Sequence, residues 1–165
     1  MAIIKRFGLF AGLSVLLVGC GPSGTGAQSD NQQEILGATE SFKDFGDYVL
    51  HFNALTTDQI AEAMAAEHGV VRSRNRALLN VSVLRNQNVG LATAVAAEVT
   101  ASSRNLTAQL RNLPMREVRE GDAIYYIAEF AIDNAESLIF TVEATPEGST
   151  ETLEVSFQKQ FFIED

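Results

Sequence analysis

Tryptophan is absent from this chain of 165 residues, and cysteine occurs once, histidine twice and proline three times. A single cysteine excludes an internal disulfide, so the fold must stand on packing alone. His51 and His68, with one cysteine, form no ligand cluster at metal spacing, and neither a metal nor a cofactor is expected. There is no G-x-S-x-G elbow and no Ser, His and Asp set at a catalytic spacing, which removes the usual signs of nucleophilic hydrolysis. A carboxylate pair of the glycosidase kind forms only in space and stays open, but the chain lacks the tryptophan on which sugars usually stack. A hydrolytic enzyme is therefore the least favoured reading, and a non-enzyme is expected.

Positive charge is also scarce, with 12 basic against 21 acidic residues and a net charge of −9. Nucleic acid is excluded as a partner, because phosphate binding needs clustered cations in excess. Beyond residue 19 no apolar run approaches the ~20 residues of a spanning helix. What is present is an ordinary globular composition, 46% hydrophobic and 20% charged, with ten phenylalanines to build a core.

The first 19 residues read as an export signal: Lys5 and Arg6 form a positive start, and Phe7 to Val18 form an apolar stretch. Leu17-Val18-Gly19-Cys20 then resembles the bacterial lipobox, in which a small residue precedes a cysteine that receives diacylglycerol. That resemblance implies cleavage before Cys20 and a membrane anchor of acyl chains, each buried methylene contributing ~0.8 kcal/mol. Loss of Lys5 and Arg6 leaves ten basic against 21 acidic residues, a net of −11. Gly21 follows the cysteine instead of the aspartate that resembles an inner-membrane retention signal, so the expected address is the outer membrane, facing the periplasm. Residues 20–41 then read as the lipidated cysteine and a flexible linker rich in Gly, Ser, Gln and Asn.

From Phe42 to Asp165 the pattern is alternation with period two, the mark of half-buried strands. Tyr48, Leu50 and Phe52 share one face, as do Leu79, Val81 and Val83, then Val95, Ala97 and Val99. Ile124, Tyr126, Ala128 and Phe130 follow, then Leu138, Phe140 and Val142, and finally Leu153, Val155, Phe157, Phe161 and Ile163. Thr107–Arg111 and Met115–Arg119 offer one or two weaker strands. Glu120-Gly121, Asp133-Asn134 and Pro146-Glu147-Gly148 supply turn chemistry between them. One helix near 57–68 interrupts the series: Thr56 and Gln59 have capping-box spacing, Ile60 and Met64 an apolar stripe, and Gly69 a C-terminal stop. The expected fold is a mainly β, antiparallel, immunoglobulin-like sandwich of about seven strands in a single domain, 42–165, with a closed barrel as the alternative.

GDYVLHFNAL, RSRNRALLNVSVL and REVREGDAIYYIAEF, taken in order, are similar to the successive motifs of a proteobacterial family of small exported proteins known only as a domain of unknown function. The resemblance runs from Phe42 to Asp165 and implies a β-rich periplasmic domain, with no activity and no catalytic residues attached.

The cations that remain are unevenly placed. All eight arginines beyond residue 19 lie between positions 72 and 119. Arg72, Arg74 and Arg76 alternate before a strand, so an extended backbone points all three the same way, and Arg116 and Arg119 precede another strand. A planar guanidinium suits carboxylates and phosphates, which makes these five, with Tyr125, the candidate site for an envelope protein or an anionic envelope component. The competing reading is salt bridging to neighbours such as Glu117, Glu120 and Asp122. The favoured function is a membrane-anchored, non-enzymatic binding or accessory module. The alternative is a carrier whose interior holds a lipid or small apolar ligand, and a pocket of several hundred Å3 separates the two.

Overall fold

A computed structural model describes residues 34–37, 39–87 and 90–163. The expected signal, 1–19, and Cys20 lie outside these residues. In chain order the strands are β1 (Ile35–Leu36), β2 (Phe42–Asp44), β3 (Tyr48–Thr56), β4 (Arg76–Arg85), β5 (Thr93–Ala94), β6 (Ala97–Asn105), β7 (Leu110–Leu113), β8 (Arg116–Glu120), β9 (Ala123–Ala131), β10 (Ser137–Pro146) and β11 (Leu153–Gln160). A 3-10 turn, Thr57–Gln59, and the helix α1, Glu62–Glu67, separate β3 from β4.

Two sheets form a sandwich. One runs β1-β11-β10-β6-β7 and the other β2-β3-β4-β9-β8, with β5 added along β4. The alternation read in the sequence is what fills the space between them. Leu50, Phe52, Leu79, Val81 and Val83 from the second sheet, and Phe140, Val142, Leu153, Val155 and Phe157 from the first, are buried in one cluster. Phe52 stacks on Phe157 at 4.6 Å between ring centroids, and Phe157 on Phe140 at 4.9 Å, so aromatic rings tie the sheets at mid-height. Glycines hold the tight corners that L-residues resist: Gly121 has φ +57° between β8 and β9, and Gly148 φ +78° between β10 and β11.

Two local expectations change. The segment expected to be free linker as far as Ser41 enters the fold at Ile35–Leu36, which pairs in parallel with Ser156 and Phe157 of β11. Ile35 and Leu36 are adjacent apolar residues in an otherwise polar stretch, and Leu36 packs against the core. The chain then crosses to the other sheet, with Glu34 within 3.8 Å of Lys43 of β2.

The expected single helix at 57–68 is broken in two. Ile60 and Ala61 have ψ near the extended range, 134° and 139°. Thr56 makes no capping bond. The fully buried Thr57 is the anchor instead: its hydroxyl lies 2.9 Å from the Val71 carbonyl and 3.0 Å from that of Ser73, and it accepts the Ser73 N–H at 2.9 Å. A side chain committed to a distant loop cannot also cap its own helix. The end of α1 is as expected, with Gly69 at φ +65°. Val70 N–H donates to Ala65 O at 2.7 Å and Gly69 N–H to Ala66 O at 3.3 Å, the paired bonds of a Schellman stop.

Candidate functional site

The outer face of the second sheet carries a second, smaller core. In β4, Leu78 and Asn80 point away from the sandwich interior, as do Tyr125 and Ile127 in β9, because residues two apart share a face. Register brings them together: Asn80 pairs with Ile127, and Val118 of β8 with Tyr125. Leu78, Ile127, Ala65 and Val70 are buried there, with Leu55, Ile60, Val118 and Tyr125 packed around them. Helix α1 is too short to cover the whole face. It leaves a groove of about 340 Å3, floored by Leu78, Asn80 and Ile127 and walled by Ile60, Met64 and Tyr125. Met64 is 47% exposed at its edge, and Asn80 Oδ1 is buried in its floor with no hydrogen-bond partner.

A second cleft of about 670 Å3 lies where the C-terminal halves of β3 and β11 part, lined by polar groups such as Asn53, Asp58, Arg74, Lys159 and Gln160. It shares Leu55 and Gln59 with the groove, so the end of β3 and the 3-10 turn after it border both.

The arginines expected to form one patch are distributed among separate tasks. A turn at Arg74–Asn75 breaks the extended backbone that their alternation required. Arg72 Nη2 donates to the Asp58 carbonyl at 2.7 Å. Arg76 pairs with Glu129 at 3.3 Å, and the same Glu129 oxygen accepts the Val71 N–H at 3.3 Å. Arg74 is exposed in the turn and lines the polar cleft. Arg116 Nη2 donates to the His68 carbonyl at 2.6 Å, tying β8 to the end of α1 beside the groove. Arg119 Nε pairs with Glu117 Oε1 at 2.6 Å. The salt-bridge reading thus describes Arg76 and Arg119, while Arg72 and Arg116 brace loops. Tyr125 is the one expected contact residue that stands in the groove.

Its neighbour Tyr126 points inward and joins the sheets. The Ala97 N–H at the start of β6 donates to its phenolic oxygen at 2.7 Å, and its hydroxyl donates to Glu117 Oε2 at 3.1 Å. The hydrogen bond from Arg119 is the main reason that the Glu117 carboxyl is held below its ordinary value, burial opposing it. The Arg119 guanidinium is raised by the same bond. Burial is the main cause that pushes the Tyr126 phenol up, with the Ala97 N–H pulling the other way.

Asn80 and Thr57 escape a reading by residue type, since each sits in an unremarkable apolar or turn context. A signal for the groove was nevertheless present: Leu78-Leu79 and Ile124 to Ala128 place apolar residues on both faces of β4 and β9, which a sheet open to water on one side does not need.

The family described as a domain of unknown function (DUF4426) matches residues 42–164. Among solved structures, a DUF4426 family protein from Pseudomonas aeruginosa PAO1 is similar over 75% of this chain and 95% of its own, at 31% identity and a TM-score of 0.64. FetP of uropathogenic E. coli strain F11, recombinantly expressed in the periplasm of E. coli BL21(DE3), aligns over 75% of this chain and 94% of its own. Its identity is 9% at a TM-score of 0.54, a likeness of fold alone. No curated protein matches the chain.

Proposed function

We propose, for a chain that belongs to the DUF4426 family, a non-enzymatic binding module of the cell envelope, anchored by lipid on Cys20 to the periplasmic side of the outer membrane. The observation that carries the binding reading is the groove of about 340 Å3 beside α1, with Tyr125 in its wall. The concavity left beside this small core has a mainly apolar lining, and concavities of this kind are where ligands and partners seat. Arg116 braces one margin through His68 and leaves the remainder of its guanidinium for an acidic neighbour. The anchor and the address rest on the signal, the lipobox resemblance and Gly21.

The runner-up, a ligand carrier, changes its location. Phe52, Phe140 and Phe157 are packed into the space between the sheets, so a carried molecule would occupy the groove and not the interior.

The test is a photo-crosslinking residue at position 125 in the full chain in its own membranes, with the same residue at exposed Thr150 as control. A discrete adduct at position 125 that is absent at position 150, and lost when Met64→Trp fills the groove, supports the reading. Equal labelling at both positions refutes it. For the anchor, Cys20→Ser should move the protein from the membrane fraction to the soluble one. Retention in the membrane would overturn lipid tethering at that residue.

A further inference from the structure

We infer that the groove beside α1 is a site for a small, neutral amphiphile that brings a hydroxyl group to the Asn80 amide. This rests on the reading of the groove as the binding face and names its ligand.

The argument starts from a cost. Asn80 sits in mid-strand, where asparagine is disfavoured, and its Oδ1 is buried without a hydrogen-bond partner. Ile127 lies opposite it on β9 and Leu78 two residues before it on the same face, with Asn53 opposite it on the open β3 side, so an apolar residue there would extend the small core. A polar group that weakens the fold where an apolar one would serve calls for a use. The amide turns about a soft terminal torsion, so a modest rotation brings its oxygen or its NH2 to the groove. A hydroxyl donates and accepts, and therefore satisfies either face of the amide.

The remaining walls define the rest of the ligand. Ile60, Met64 and Tyr125 present apolar surface, and Met64, unbranched and half-exposed, adjusts to an irregular body. The space of about 340 Å3 holds on the order of ten non-hydrogen atoms when each is given a water's share of volume. Charge excludes the alternatives. Among the described residues lining the groove, Glu120 is the one carboxylate, His68 is the one basic side chain and there is no lysine or arginine. An anion meets Glu120 and finds the Arg116 guanidinium only at the margin, engaged with the His68 carbonyl, while a cation loses its water against apolar walls.

Methyl-labelled methionine in the full chain reads occupancy directly, with Met64 as reporter and Met115 as internal control. Benzyl alcohol, toluene and benzoate are titrated as probes. Benzyl alcohol should shift the Met64 methyl saturably and bind about tenfold more tightly than toluene, and benzoate should leave it unmoved. Asn80→Leu should erase the preference for the alcohol over toluene and leave the thermal midpoint unchanged or higher. If Asn80→Leu fails to fold, Ala61→Trp, which fills the groove and keeps the Met64 reporter, serves instead and should abolish the shifts from benzyl alcohol and toluene. Equal affinity for alcohol and toluene, or the absence of a saturable Met64 shift, overturns the inference. A position-125 crosslink that persists without any Met64 shift removes this ligand but keeps the binding face. Loss of the crosslink as well removes both.

Discussion

Replacing Thr57 by valine removes one hydroxyl from a side chain with no exposed surface and keeps its shape almost unchanged. That hydroxyl accepts from Ser73 N–H at 2.9 Å and donates to one of two carbonyls, Val71 at 2.9 Å or Ser73 at 3.0 Å. Valine fills the space but leaves the Ser73 N–H without its acceptor, a loss of about 1–3 kcal/mol for an orphaned buried donor. The carbonyls lie nearer the surface and recover part of their bonding from water, adding about 0.5–1 kcal/mol. The sum, about 1.5–4 kcal/mol, corresponds to a fall in Tm of roughly 5–16 °C for a domain of this size. Urea unfolding should show a lower midpoint with an unchanged slope, since the surface exposed on unfolding is the same. Thr56→Val provides the internal comparison: Thr56 is buried too but makes no capping bond, and should change stability by less than about 1 kcal/mol. A Thr57→Val variant as stable as the parent, or a larger loss from Thr56→Val, would refute the claim that Thr57 and not Thr56 fixes this corner.

The aromatic stack predicts that Phe140→Ala, at a residue buried completely among three ring partners, costs about 3–5 kcal/mol in chemical denaturation. A cost under about 1 kcal/mol would mean that the sheets close up without it. Tyr126→Phe should cost about 1–2 kcal/mol by leaving the Ala97 N–H unpaired. The Tyr126 phenol is raised in the fold, so the folded state holds its proton more tightly than the unfolded chain does. Its contribution is present below the ordinary tyrosine range and is lost as the pH rises through it, and Tyr126→Phe should flatten that alkaline decline in a Tm-against-pH profile. Glu117 has the opposite sign: its lowered carboxyl stabilises above the ordinary carboxylate range and loses that effect as the pH falls through it. Glu117→Gln should therefore be less acid-sensitive than the parent, and an identical acid limb in both would refute the Arg119 pairing as its cause.

Much of the fold was legible in the order of residues. A strand buried on one face must alternate, and the alternating sets around Leu50, Val81, Tyr126, Phe140 and Val155 are the residues found between the sheets. The weaker pattern at Met115–Arg119 lies at β8, whereas of Thr107–Arg111 only Leu110 and Arg111 enter β7 and the rest form the turn before it; Gly69, Gly121 and Gly148 all adopt the left-handed turns that glycine reaches cheaply. The arginines misled for a local reason. Spacing at i, i+2 and i+4 predicts a shared direction only along extended backbone, and Arg74–Asn75 turn.

Period and turn chemistry are properties of neighbours in the chain, so the sequence by itself determined the strand-rich class, the core face of each strand and the places where the chain reverses. Tertiary structure alone decided which distant groups meet: Ile35–Leu36 beside β11, the Thr57 hydroxyl against the loop at 71–73, Arg76 against Glu129, and Tyr126 across to Ala97. The groove belongs to this second kind. Its floor comes from β4 and β9 and its walls from Ile60, Met64 of α1 and Tyr125 of β9, and its opening follows from the length of α1, six residues laid over a sheet wider than they can cover. A concavity is a relation among elements far apart in the chain, and no local pattern of residue types encodes it.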